Sequence, residues 1–275
     1  MAISIITDST AYLSKTLLDQ ENIEVVPLNI IMQDKQYREG ELSNRECYRI
    51  MRHQPVFPQT SQPSVGDFLE VYQRLLPGDE ALVILISSCL SGTCHSAVMA
   101  QGLLNRSDVS IHVVDSLSTS IGLALQIEQA CEMRQAGSSM EAILGEMKRI
   151  IPKTNVFFIV DDLEYLSRGG RIGPAAKYIG NALQIKPILY LQEGRIEVFD
   201  KIRTKHKAVT RIVDAFSRLS PQVEKLAVTH VDAPEEAEEL RLRLSQIYSG
   251  PICVRETGPV IGAHVGPGTV GLAYF

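Results

Sequence analysis

The sequence predicts an α/β fold with two domains, the first built on a mostly parallel sheet with flanking helices and the second on a mixed sheet. Short, continuously apolar segments alternate with helix-like segments through the first half, a pattern typical of parallel strands that are buried on both faces. The second half contains a hairpin pattern, which introduces antiparallel pairing. A length of 275 residues fits two domains of ordinary size.

The elements of the first half follow one another as strand and helix pairs. Strands are expected at the apolar segments 3–7, 24–32, 81–86 and 111–114. Helices are expected to begin where a serine and an acidic residue have capping-box spacing: Ser43 with Glu46, Ser64 with Asp67, and Ser138 with Glu141. Other helices are expected around 13–17, up to about residue 104, and up to about residue 136, where Gly137 suits a helix C-terminus.

The predicted linker between the domains is Ile151-Pro152-Lys153, because a proline ends the helix before it. The first domain is therefore expected at 1–152 and the second at 153–275. In the second domain, 186–201 is predicted to be a hairpin that turns at Glu193-Gly194. Its other expected elements are strands at 156–160, 226–231, 252–254 and 270–275, and helices around 209–216 and 237–247.

The composition argues against several classes of protein. The formal net charge is −5, so the basic surface that nucleic-acid binding requires is not expected. The five scattered cysteines have no CxxC spacing, which predicts reduced thiols rather than disulfides or a zinc site. Neither a signal-peptide pattern nor a stretch of about 18 apolar residues occurs. We therefore expect a soluble, cytoplasmic protein without a transmembrane segment.

Common catalytic and nucleotide-binding motifs are missing from the sequence. It has no GxxxxGK[ST], HExxH or GxSxG pattern. The segment 266–271 fits GxGxxG, but a dinucleotide-binding motif must leave a strand and open a helix, and only four residues follow this one. We therefore expect no nucleotide there, and neither a metal nor a cofactor elsewhere.

Hydroxyl residues gather before predicted helices, and three of the groups directly follow predicted strands. The groups are 8–10, 60–64, 87–93 and 115–120. Ligands of open α/β sheets bind at this edge, where helix N-termini favour anions. Neutral donors suit a single carboxylate better than a polyphosphate. The alternative, that each residue is an N-cap, stays open, although the four hydroxyls of 87–93 exceed what one cap needs.

In combination, these motifs resemble the DegV family of bacterial fatty-acid-binding proteins. The segments that carry the resemblance are 8–10, 60–64, 87–93, 114–116, 166–172, 186–188 and 258–268, in family order. The resemblance implies a long-chain fatty acid such as palmitate, stearate or oleate, with its tail in an apolar tunnel between the domains. The residues that it implies for the carboxylate site are Thr60, Ser61, Ser91, Gly92, Thr93 and His264.

The resemblance also implies a carrier without catalytic residues of its own. Such a carrier presents the acid to a separate fatty acid kinase, which makes an acyl phosphate for phospholipid metabolism. Arg168 and Arg171 flank two glycines and could bind phosphate, or they could be solvated arginines beside a glycine helix stop. Arg203 belongs to a basic run at 201–207, which is either a solvated face or a docking surface for the kinase.

Two other functions are weighed against the carrier. A serine hydrolase or acyltransferase would use Ser88 or Ser91 with His264, but the sequence has no nucleophile elbow and no clear group to orient the base. A ligand-sensing regulator would need a basic DNA-binding surface, which the acidic composition does not favour.

Overall fold

The structure is a computed structural model that describes residues 2–53, 57–179 and 185–275. In chain order its strands are β1 (Ile3–Asp8), β2 (Glu24–Val26), β3 (Asn29–Met32), β4 (Lys35–Arg38), β5 (Gln59–Ser61), β6 (Glu80–Leu85), β7 (Ser110–Asp115), β8 (Asn155–Ile159), β9 (Lys186–Gln192), β10 (Arg195–Ile202), β11 (Leu226–His230), β12 (Ile252–Glu256) and β13 (Val270–Tyr274). Its helices are α1 (Lys15–Glu21), α2 (Asn44–His53), α3 (Val65–Gln73), α4 (Thr93–Leu103), α5 (Ser120–Gln135), α6 (Met140–Ile150), α7 (Glu164–Arg168), α8 (Lys205–Ser217), α9 (Pro234–Leu244) and α10 (Pro259–Val265).

The first sheet is parallel, with the strand order β2-β1-β6-β7. Its central strand β6 is buried at every position from Ala81 to Leu85. Such a strand lacks polar alternation because helices cover both faces of the sheet. The predicted parallel sheet is therefore confirmed.

The extended region predicted at 24–32 is divided between two sheets. β2 joins the parallel sheet, whereas β3 is the middle strand of a small antiparallel sheet, β4-β3-β5. Neither β4 nor β5 was predicted, because both are short and polar and take their conformation from pairing with β3. Thr60 consequently lies on a strand, paired with Ile30, rather than in the loop before α3.

Two of the predicted caps are confirmed and one is shifted by a residue. Ser64 and Asp67 form a complete capping box at α3, and Glu46 N donates to Ser43 Oγ at α2. The α6 helix is capped by Ser139, not by Ser138 as predicted. The backbone N–H of Ser138 instead closes the end of α5, after a glycine in the left-handed conformation.

The second sheet is mixed, as predicted, with the order β10-β9-β8-β13-β11-β12. Only β11 and β12 pair in parallel. The predicted hairpin is confirmed: Glu193 and Gly194 connect β9 and β10 with φ values of 49° and 77°, as a tight hairpin turn requires. The GxGxxG segment runs from α10 into β13, which is the reverse of the order that a dinucleotide-binding motif needs.

The helix α5 lies between the two sheets and packs against β1 and β6 on one side and against β8, β11 and β13 on the other. The largest apolar cluster accordingly includes residues from both halves of the chain, among them Ile5, Leu123 and Ala273. The predicted linker 151–153 is a 3₁₀ turn between α6 and β8. Within the described ranges, no helix is long and apolar enough to cross a bilayer.

Candidate ligand-binding cavity

A cavity of about 320 Å³ lies where the halves of the chain meet, a volume at the lower end of those that hold small ligands. Its walls come from β5, the β6–α4 loop, the start of α5, the mixed sheet and α10. Most of the lining is apolar, including Leu28, Phe158, Leu191, Ile196 and Val260. Polar side chains interrupt this lining in two places.

Five of the six residues predicted for a carboxylate site line the cavity, namely Thr60, Ser61, Ser91, Gly92 and His264. Thr93 is fully buried and contacts Ser91, with 2.8 Å between the two hydroxyl oxygens. Ser61 Oγ accepts a hydrogen bond from Asn29 Nδ2 at 3.2 Å, so its own hydroxyl hydrogen is available to a ligand.

Thr60 and His264 are in direct contact, with 2.7 Å between Thr60 Oγ1 and His264 Nε2. Burial, and to a lesser extent the charge of Arg171, lowers the pKa of His264 to about 4, so the imidazole is neutral at pH 7. Its Nδ1 is buried without a partner among the described residues. If the ring hydrogen were on Nδ1, that N–H would be buried without an acceptor, so the hydrogen is on Nε2. His264 Nε2 then donates it to Thr60 Oγ1. The Thr60 hydroxyl hydrogen then stays free for an anion.

Glu39 fixes the helix that carries His264, and sequence reasoning missed it. Its carboxylate accepts hydrogen bonds from Val260 N (2.8 Å) at the start of α10, from Ser9 Oγ (2.6 Å) and from Tyr12 OH (3.0 Å). Burial raises the pKa of Glu39 to about 7. Nothing in the charged, apparently exposed segment around it signals this contact, because the partners are distant in the sequence.

The start of the loop that bears Ser91 is held by hydrogen bonds to both halves of the chain. Asp8, at the end of β1, accepts from Ile86 N at 2.7 Å, and burial raises the pKa of this carboxyl. Ser87 Oγ donates to Gly194 O at 2.9 Å, which joins the loop to the β9–β10 turn. Hydrogen bonds from both sheets therefore determine where Ser91 lies.

Gly92 allows a close contact inside the cavity wall. A Cβ at this position would lie 2.0 Å from Gln62 Oε1, so the absence of a side chain lets Gln62 cross above the start of α4. Gln62 Nε2 in turn donates to Ser96 Oγ at 2.9 Å. This contact ties β5, which carries Thr60, to α4, which begins beside Ser91.

Only one of the three arginines predicted to face a phosphate or a partner reaches the cavity. Arg171 lines it. Arg168 instead pairs with Glu164 at 2.6 Å and stacks on Phe57, with Cζ 3.9 Å from the ring centroid. Arg203 is exposed between β10 and α8 and is not part of the lining.

Arg171 also belongs to a second, more polar depression of about 620 Å³ beside the cavity. Its guanidinium donates to Leu90 O at 3.1 Å and to Gly169 O at 2.7 Å, which holds it at the rim shared by both spaces. Arg195 contributes a second positive charge to the depression and was not among the predicted site residues. Two guanidiniums near Ser91 favour an anionic group on this side.

The serines predicted as hydrolase nucleophiles, Ser88 and Ser91, have no hydrogen bond to His264 among the contacts of the described residues. Ser91 bonds to Thr93, and His264 bonds to Thr60. Ser88 lines only the outer depression. In the part of the chain that the structure describes, no group of three or more His, Cys, Asp or Glu side chains could hold a metal ion.

Comparison with known proteins places this architecture in a family. A model of the DegV family of uncharacterised proteins matches residues 2–275. A fatty-acid-binding DegV family protein from Thermus thermophilus has a TM-score of 0.91 at 34% identity, with 100% of this chain and 99% of that one covered. DegV of Bacillus subtilis, a fatty-acid-binding protein, has a TM-score of 0.90 at 33% identity, with coverage of 100% and 99%.

A stearic-acid-binding protein from Eubacterium ventriosum gives a TM-score of 0.91 at 27% identity, with coverage of 100% and 98%. The family match extends over nearly the whole chain, and the order of strands and helices agrees with the resemblance found in the sequence. The resemblance is thereby confirmed, and the chain belongs to the DegV family.

Proposed function

We propose that this protein binds one long-chain fatty acid in the cavity and carries it without reacting with it. The observation that carries the proposal is the pairing of an apolar cavity with neutral hydrogen-bond donors at one place in its wall, Thr60 and Ser91 beside a neutral His264. A lone carboxylate is satisfied by such donors, whereas a polyphosphate would recruit more positive charge. The fatty-acid-binding relatives support the same ligand class.

The tail supplies the affinity in this proposal. Each buried methylene contributes about 0.8 kcal/mol, so a C16 tail offers on the order of 10 kcal/mol before losses. Association and ordering then cost several kcal/mol. The hydroxyls contribute orientation, because a buried carboxylate without donors would be strongly disfavoured.

The carboxylate is placed against Thr60 and Ser91 in this proposal. Thr60 donates its free hydroxyl hydrogen, and Ser91 donates when Thr93 supplies the hydrogen between those two hydroxyls. Ser61 and Gly92 complete the polar wall. The domains proposed at 1–152 and 153–275 enclose the tail between them.

The carrier would act in the cytoplasm and present the carboxylate to a fatty acid kinase that forms an acyl phosphate. The outer depression, with Arg171 and Arg195, is suited to the phosphate that this partner transfers. The basic run around Arg203, together with Arg168, is an exposed surface on which the kinase could dock.

Native mass spectrometry of the purified protein, followed by lipid analysis after denaturation, tests the carrier. We expect one fatty acid per chain, and Thr60→Val should reduce the copurified amount relative to Thr60→Ser. Absence of any copurified acid, together with no binding of added palmitate, stearate or oleate, would overturn the carrier.

The kinase partnership needs a separate experiment. The loaded protein is incubated with ATP and a purified fatty acid kinase, and acyl phosphate is trapped as a hydroxamate. Product is expected only when both proteins are present, and Arg195→Ala should slow its formation while leaving fatty acid affinity nearly unchanged, because Arg195 lines the outer depression and not the cavity. Equal rates for free and carried acid would contradict the partnership.

A further inference from the structure

We propose that the cavity contains a second polar subsite, formed by Thr119, Ser120, Thr229 and Thr257, which binds an oxygen substituent on the acyl chain. The ligand class is a long-chain fatty acid that carries a hydroxyl group. The inference rests on the proposed function, since the same acid would occupy both polar parts of the cavity.

Three hydroxyls of this subsite form a chain whose direction is fixed. Thr229 Oγ1 donates to Arg255 O at 3.0 Å, and it lies 2.6 Å from Thr257 Oγ1. Thr257 must therefore donate to Thr229 and accept from Ser120, whose Oγ lies 2.7 Å away. All three hydrogens are used within the chain, which fixes these side chains as a rigid polar wall.

Thr119 adds an unpaired oxygen to this wall. The residue is the N-cap of α5, but its side chain makes no capping hydrogen bond. Its side chain lines the cavity, is only 9% exposed, and its Oγ1 is buried without a partner among the described residues. An unpaired buried hydroxyl costs about 1–3 kcal/mol, so the position favours a ligand that can bond to it.

His230 lies outside this wall. Its side chain shares a face of the mixed sheet with Val228 and Val270, and its Nδ1 accepts from Ala233 N at 3.3 Å, at the start of α9. The unpaired group of the subsite is therefore Thr119 Oγ1.

A hydroxyl group on the ligand complements this unpaired oxygen. It donates its hydrogen to Thr119 Oγ1, which a methylene cannot do. A saturated tail would leave Thr119 unpaired. Sites that bond to a hydroxyl group discriminate against ligands that lack it, because the polar groups are then left buried and unsatisfied.

Competition binding tests the subsite with stearic acid and a set of hydroxystearic acids that carry the hydroxyl group at different positions along the chain. At least one isomer is expected to bind about tenfold more tightly than stearic acid, which corresponds to one added buried hydrogen bond. Thr119→Val should remove this preference, so that stearic acid and the preferred isomer bind with equal affinity. Thr210→Val, an exposed position on α8, is the control. Circular dichroism and thermal melting establish that Thr119→Val and Thr210→Val are folded.

The outcomes separate the two proposals. If the wild type binds stearic acid but prefers no hydroxylated isomer, the subsite is refuted and the carrier stands. The subsite is also refuted if a preference exists and survives Thr119→Val. If neither stearic acid nor any isomer binds, the proposed function itself fails.

Discussion

Thr60 Oγ1 lies 2.7 Å from His264 Nε2, although 204 residues separate the two in the sequence. The contact joins β5 of the small antiparallel sheet to α10, and both side chains line the cavity. Because His264 is neutral and donates to Thr60, the histidine orients the hydroxyl rather than supplying a charge. The polar part of this wall therefore presents neutral donors, which supports the proposed carboxylate site.

Thr60→Val should weaken fatty acid binding by about tenfold to a hundredfold, because the charged carboxylate loses one buried donor. Thr60→Ser keeps the hydroxyl and should retain most of the affinity. Isothermal titration with palmitate measures both variants. Equal affinities for the valine and serine variants would remove Thr60 from the carboxylate site.

The stability of the protein should depend on His264 as the pH falls. Its pKa is about 4 in the folded state, against an ordinary value of 6.5, so the unfolded chain binds more protons between these values. The contribution of His264 to the free energy of unfolding is therefore full above about pH 6.5 and is lost as the pH falls towards 4. Urea unfolding across this range should show a steeper acid-side loss for the wild type than for His264→Gln.

Fatty acid binding should shift the same titration. A carboxylate next to His264 favours the protonated imidazole, so the pKa of His264 should rise in the complex. NMR titration of the imidazole with and without palmitate measures the change. An unchanged pKa would indicate that the head group binds elsewhere.

Glu39 should give the opposite pH dependence. Its pKa is about 7 in the folded state, against an ordinary value of 4.5, so the folded state binds more protons between these values. The free energy of unfolding should therefore fall as the pH rises from about 4.5 to 7. Glu39→Gln should flatten this part of the profile, as measured by urea unfolding. A profile identical to that of the wild type would contradict a buried, proton-binding Glu39.

Gly92→Ala should cost about 1 kcal/mol of stability, because its Cβ displaces Gln62 and breaks the hydrogen bond to Ser96. The cost should largely disappear in a Gln62→Ala background, because the three atoms nearest to the new methyl group all belong to the Gln62 side chain. Gly102→Ala in α4 is the matched control: a Cβ there meets nothing within 4 Å, so this change should stabilise the helix by about 0.5–1 kcal/mol. Chemical denaturation of the wild type, Gly92→Ala, Gln62→Ala and the double variant completes the cycle, and Gly102→Ala is measured beside them.

Local sequence signals predicted the elements whose conformation is determined by residues close together in the sequence. β6 is apolar throughout because it is buried on both faces, and Ser64 with Asp67 caps α3 by contacts within four residues. The hairpin turn at Glu193-Gly194 is equally local. The family resemblance, not any local pattern, led to the grouping of Thr60, Ser91 and His264.

Long-range contacts account for what was missed. The polar strand β5 exists only because it pairs with β3, and Glu39 reaches Val260 across 221 residues. The register of β11 and β12, together with the position of α5, brings Thr229, Thr257 and Ser120 into one chain of hydroxyls. No spacing within a single element encodes such an arrangement.

The position of α5 between the two sheets determines how the protein unfolds. Ten of its 16 residues are buried, and it packs against strands of both sheets. Removing either sheet would therefore expose buried side chains of α5 to water. A fragment that ends after α6 would expose the apolar face of α5 that packs against the second sheet. We expect this fragment to aggregate rather than to fold independently. Heating the intact chain should accordingly melt both sheets together in one transition, with the enclosed ligand lost at the same temperature.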